Sequence, residues 1–97
     1  MSFALNGFQR AGRLAGTTQT DDLTQTGRFG GVVGIPTTLV LTSSDASRAI
    51  QISIDGGTTF FTPVYDWSNA TQLGVAIMAP ITHVRFTGVA GDTWGVL

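Results

Sequence analysis

Ile50-Gln51-Ile52-Ser53-Ile54-Asp55-Gly56-Gly57-Thr58-Thr59-Phe60-Phe61 decides the fold class. Isoleucine alternates with polar residues from 50 to 54, the period-two pattern of a strand with one buried face. Glycines at 56 and 57 then supply the positive φ angles that tight hairpin turns require. A two-residue loop there sets Ile54 against Thr59 and Ile52 against Phe61, with Ser53 and Phe60 on the other face.

The same texture extends in both directions. Thr38–Thr42 is β-branched and apolar, as in a mostly buried strand, and the cluster Ser43–Ser47 is a turn. Downstream, Pro63 interrupts the return strand, and Val64-Tyr65-Asp66-Trp67 runs into the loop Ser68-Asn69-Ala70. Gln72–Met78 reads as a strand with Leu73, Val75 and Ile77 on one face. Ala79-Pro80 breaks it. In Ile81–Thr87, Val84 and Phe86 face one way and His83 and Arg85 the other. Gly88–Asp92 turns the chain, and Thr93–Leu97 closes it. Short strands at this spacing predict an all-β, small antiparallel β-sandwich or jelly-roll-like domain over residues 32–97.

Residues 1–31 read differently. Glycines punctuate the segment, and TTQTDDLTQTGR is polar apart from Leu23. Phe3, Phe8, Ala11 and Ala15 fall near helical spacing, but interior glycine costs a helix about 1 kcal/mol per position. The expectation is an extended N-terminal arm whose anchors, Phe3, Leu5, Phe8, Arg10, Arg13 and Leu14, order against a partner. A disordered terminus, or an edge strand packed on its own domain, is the other reading.

The 97 residues fit one domain, and they include no cysteine, so neither a disulfide nor a thiolate metal site can staple the fold. Oligomerisation is the remaining common route to stability at this size. Only 11% of residues are Asp, Glu, Lys or Arg, against about 25% in an average soluble domain. Every acid is Asp and, His83 aside, every cation is Arg. Long charged side chains keep a free monomer soluble, so their scarcity points to a surface covered by neighbours. Compositional bias of the host is the bland alternative. A net charge of −1 argues against nucleic acid, which selects a basic face. The apolar runs are shorter than the roughly 18 residues of a membrane span. The first residues lack the pattern of a secretory signal.

Catalytic equipment is sparse, with one His and no Cys, Glu or Lys. His83, on a polar strand face, reads as a solvated residue. The aspartates sit in separate turns, where Asp caps backbone N–H groups. Asp21-Asp22 lacks the spacing of a calcium loop, and Gly27–Gly31 lacks that of a phosphate loop. No enzyme activity, cofactor or metal is expected. Tyr65, Trp67 and Trp94 have three readings: core packing, a protein interface, or a glycan site built by stacking beside Asp66.

IQISIDGGTTFFTP and MAPITHVRFTGVAGDTW, within roughly residues 48 to 95, resemble the small virion proteins of tailed bacteriophages, in particular capsid decoration (cement) proteins. β-Sandwich domains of phage tails are similar in style. The resemblance implies a virion structural protein, made in the host cytoplasm. It would be a dimer or trimer that binds the major capsid protein, or another virion protein, and stabilises the shell, without nucleic acid or membrane as partner. The competing expectation is a tail-associated or extracellular glycan- or receptor-binding module.

Overall fold

A computed structural model describes residues 10–23 and 37–97. The strands are β1 (Arg10–Arg13), β2 (Thr18–Asp22), β3 (Thr37–Thr42), β4 (Ala49–Ser53), β5 (Trp67–Ser68), β6 (Gln72–Ile77), β7 (His83–Thr87) and β8 (Thr93–Val96). They form a five-stranded sheet, β1-β8-β3-β6-β5, and a three-stranded sheet, β2-β7-β4, with every pairing antiparallel. The chain is therefore all-β, a small β-sandwich as its alternation predicts.

The strand order carries more detail. β1 pairs β8, β2 pairs β7 and β3 pairs β6, as in a long antiparallel ribbon rolled onto itself. β8 then joins β3, and β7 joins β4. This is the order of a jelly roll, with one departure: the strand after β4 shrinks to a bridge between Ile52 and Phe61. The chain then crosses the side of the sandwich, and β5 pairs β6 instead. Pro63, next to the bridge, has no N–H to extend a ladder.

The core lies between the sheets. β3 contributes Leu39 and Leu41, β6 Leu73, Val75 and Ile77, and β8 Val96. The other sheet contributes Ile50, Ile52, Val84 and Phe86. Phe86 stacks on Trp94 with ring centroids 5.2 Å apart.

The Asp55 hairpin keeps the expected register, since Ile52 and Phe61 exchange both backbone hydrogen bonds, at 2.9 and 3.0 Å. It is not a two-residue turn. Asp55 Oδ1 accepts from the N–H groups of Thr58 and Thr59 and from Ser53 Oγ. Ser53 Oγ in turn accepts from Gly57 N–H. These side chains hold N–H groups that ladder bonds would otherwise use, and the loop widens. Gly56 and Gly57, at φ of 81° and 89°, supply the left-handed backbone.

The N-terminal segment departs from expectation. Residues 10–23 contribute one strand to each sheet, and Leu14 and Leu23 lie in the core at 2% and 0% exposure. Over this span the edge-strand alternative describes the chain, and the arm does not. The rest of the expected arm, residues 1–9 and 24–31, and the Val32–Pro36 stretch lie outside the described residues.

Candidate functional site

Alternation sends Leu39, Leu41, Leu73, Val75 and Val96 inward, so the intervening residues build the outer face of the five-stranded sheet. One cross-strand row is Ala11, Gly95, Val40, Gly74 and Trp67. The next is Arg13, Thr93, Thr42 and Gln72. Ala11, Gly95 and Val40 of the first row floor a trough of about 490 Å³, walled by the second row, with Gly12 and Trp94 completing its lining. β3, β6 and β8 contribute no charged residue to it. Arg13 is the cation at the β1 end, with Nη1 donating to the Gly91 carbonyl at 3.4 Å.

Trp67, on β5, stands beyond the trough on the same face and is not one of its lining residues. A β-carbon on Gly74 would lie 1.8 Å from Trp67 Cζ2, so the indole rests directly on the Gly74 backbone. The ring stays 39% exposed. Asp66 anchors the approach: its backbone N–H donates to Gly74 O, and its Oδ2 accepts from Ala76 N–H. A flat aromatic surface is thus held beside a groove edged by hydroxyl and amide groups, with Arg13 as the one charged residue in its lining.

The other two aromatics lie elsewhere. Tyr65 packs against the core, and its hydroxyl accepts from Ile50 N–H at 2.9 Å and donates to Ile50 O at 3.2 Å. Trp94 is turned inward onto Phe86, and Gly12 approaches its indole so closely that a β-carbon there would lie 3.1 Å away. Tyr65 and Trp94 pack against the core, with Trp94 also lining the trough, and Trp67 is the most exposed of the three. The three make no common site.

Of the expected partner anchors, Phe3, Leu5 and Phe8 lie outside the described residues. Leu14 is a core residue, a correction with a plain cause: the turn from β1 to β2 carries its side chain between the sheets. Arg10 is directed to buried Asp21, with Nε 2.6 Å from Oδ2. Asp21-Asp22 is accordingly part of β2 and not in a turn. Among the described members of the set, Arg13 is the exposed one.

His83 is less solvated than its strand position suggests. Its side chain is 17% exposed, with Nε2 3.6 Å from Asp22 Oδ2. Nδ1 lies 3.0 Å from Thr82 Oγ1. Gly57 covers the ring, since a β-carbon there would sit 3.3 Å from it. Ser53 is the cross-strand neighbour of His83, but its hydroxyl donates to Asp55 at 2.7 Å. Beside it on the outer face, Arg85 donates twice to Gln51 Oε1 and stacks over Phe60 at 4.2 Å, which covers that ring. The turn aspartates cap N–H groups as expected: Asp45 that of Ser47, Asp92 that of Val89. Asp45 is held below its ordinary value by the Ser47 hydroxyl and then by its N–H. Among the described residues, no three His, Cys, Asp or Glu side chains gather as a metal site would require.

Gly74, Val40, Thr42, Gln72 and Thr93 carry no functional signal by residue type. The one readable sign is Gly74 itself, because a glycine inside an alternating strand marks a close approach to its surface. Comparison of the chain with protein-family models, curated proteins and solved structures finds no match in any of the three.

Proposed function

We propose that the chain is a non-enzymatic structural protein of a virion, a decoration or cement protein that binds the major capsid lattice as a homo-oligomer and stabilises it. The supporting observation is the end of the sandwich where the chain enters β1. Ile54, just past β4, is 61% exposed, and Met78, just past β6, is 79% exposed. Both sit at the end that also holds the start of β1, the end of β8 and the loop ends joined by Thr82 N–H to Ser53 O. Residues 1–9, with Phe3, Leu5 and Phe8, immediately precede Arg10 in the sequence.

Covering two such side chains is worth on the order of 1–2 kcal/mol each, less the loss of rigid-body freedom on binding. One copy is held weakly. A lattice repeats the contact, and linked copies bind by effective concentration. The jelly-roll order is compatible with this reading, since viral capsid domains use it, but a fold does not fix a function.

The test uses particles from the source. The protein should co-purify with them at a fixed stoichiometry. Ile54→Ser with Met78→Ser, and separately deletion of residues 1–9, which stops short of β1, should lower occupancy while the β-domain keeps its melting behaviour. Absence from purified particles, or wild-type occupancy by both variants, refutes the assignment.

A further inference from the structure

We propose that the outer face of the five-stranded sheet is a binding site for neutral oligosaccharides, with a sugar ring stacked on Trp67. Nothing in this inference depends on the particle reading. The two are compatible, because docking through the Ile54 and Met78 end leaves this face open.

The geometry selects the ligand class. One face of the Trp67 indole is occupied by the Gly74 backbone, so the ring lies along the sheet. What remains exposed is a flat apolar plate. The C–H face of a pyranose is its natural complement, because aromatic faces carry partial negative charge and such C–H groups partial positive charge. Beside Trp67, whose indole covers Gly74, the trough runs over Val40 and Gly95 to Ala11. The two interstrand steps from Val40 to Ala11, at about 4.8 Å each, make about 10 Å, room for a short extension of a chain whose first ring lies on Trp67. Thr42, Thr93 and Gln72 stand along one side. Hydroxyls and a side-chain amide both donate and accept, which matches sugar hydroxyls and discriminates little between charged forms.

Other ligand classes fit less well. A phosphorylated or nucleic-acid ligand needs several cations, and Arg13 at the far end is the one charge in the trough lining. An apolar peptide would bury the hydroxyl and amide groups of the wall without partners, which costs about 1–3 kcal/mol for each group. The volume, about 490 Å³, lies within the range of small-ligand clefts, roughly 300–1,000 Å³.

The test is a titration of the full chain with a panel of neutral oligosaccharides built from glucose, galactose, mannose and N-acetylglucosamine, read by isotherms and by tryptophan fluorescence. At least one series should bind saturably, more tightly as its length grows, and should perturb Trp67 emission. Trp67→Ala should weaken binding about tenfold or more. Gln72→Ala, at an exposed position where folding is little affected, should weaken it several-fold. Gln51→Ala, on the other sheet, should leave it unchanged. Loss of binding in Trp67→Ala counts only if its unfolding midpoint shows it folded, and the Gln72→Ala result carries the test otherwise. Three outcomes overturn the proposal: no saturable binding across the panel, undiminished binding by both site variants, or capture of a polypeptide by this face that no saccharide displaces.

Discussion

Gly74→Ala puts the contact that builds the candidate site to a direct test. The new β-carbon would lie 1.8 Å from Trp67 Cζ2 and 1.9 Å from Cε2, so the indole must lift away. Gly74 is not one of the glycines with positive φ, so alanine meets no backbone strain there, and the cost falls on the ring. Trp67 is 39% exposed, which leaves about 60% covered. A tryptophan buries on the order of 150–250 Å². The covered share, about 100–150 Å², is worth at most about 4 kcal/mol at ~25 cal/mol per Å². Lifting the ring forfeits part of this, an expected loss of about 1–2 kcal/mol. An opposing effect exists, because alanine restricts the unfolded chain relative to glycine and stabilises by about 0.4–1 kcal/mol. With Trp67→Ala already in place only that gain remains, so the same Gly74→Ala change becomes neutral or stabilising. The double-mutant cycle should therefore show a coupling of about 2 kcal/mol. Urea unfolding of the four proteins, followed through Trp94, measures it. An equal cost of Gly74→Ala in both backgrounds would refute the stacked geometry.

Leu14→Ala should cost about 2–5 kcal/mol in the same assay as a core truncation, whereas Arg13→Ala, one residue earlier and exposed, should stay within about 0.5 kcal/mol. A mild effect at Leu14 would restore the arm reading for β1. Tyr65→Phe leaves Ile50 N–H without its hydroxyl partner and should cost about 1–2 kcal/mol; no change in midpoint would mean water serves as well. Asp55 is held down to about 2, against an ordinary 3.8, first by the Thr59 N–H and then by the Ser53 hydroxyl. A carboxyl depressed in the folded state adds stability above its unfolded value, and that contribution fades as pH falls from about 4 towards 2. Asp55→Asn should flatten this part of the pH–stability curve, and an unaltered slope would dismiss the capping role.

The strands that alternation reveals are those whose inward positions are aliphatic or aromatic. β3, β4, β6 and β7 carry Leu39, Leu41, Ile50, Ile52, Leu73, Val75, Val84 and Phe86 inward, and each is legible in the sequence. β1 and β2 are not. The inward residues of β1 are Arg10 and Gly12, and those of β2 are Gln19 and Asp21. Gly12 faces inward because the Trp94 indole fills the space below it, and Asp21 because Arg10 meets it there. Both replace a local hydrophobic pattern with a pairing between distant residues, which no window along the chain can display. The site is illegible for a related reason. Trp67, Tyr65 and Trp94 look alike as aromatics, and what separates them is which strand each one crosses. The trough needs Ala11, Val40 and Gly95 in one row, and only the register supplies that.

β4 borders the smaller sheet, yet its outward backbone groups are already occupied. Ile50 is bonded through the Tyr65 hydroxyl, and Ile52 through Phe61. An unoccupied border of this kind would template a second molecule and let copies zip into fibrils. Because the chain caps this border from within, crowded molecules gain nothing by aligning along it. Self-association on that side is closed off, and high local concentration does not carry a polymerisation hazard through β4.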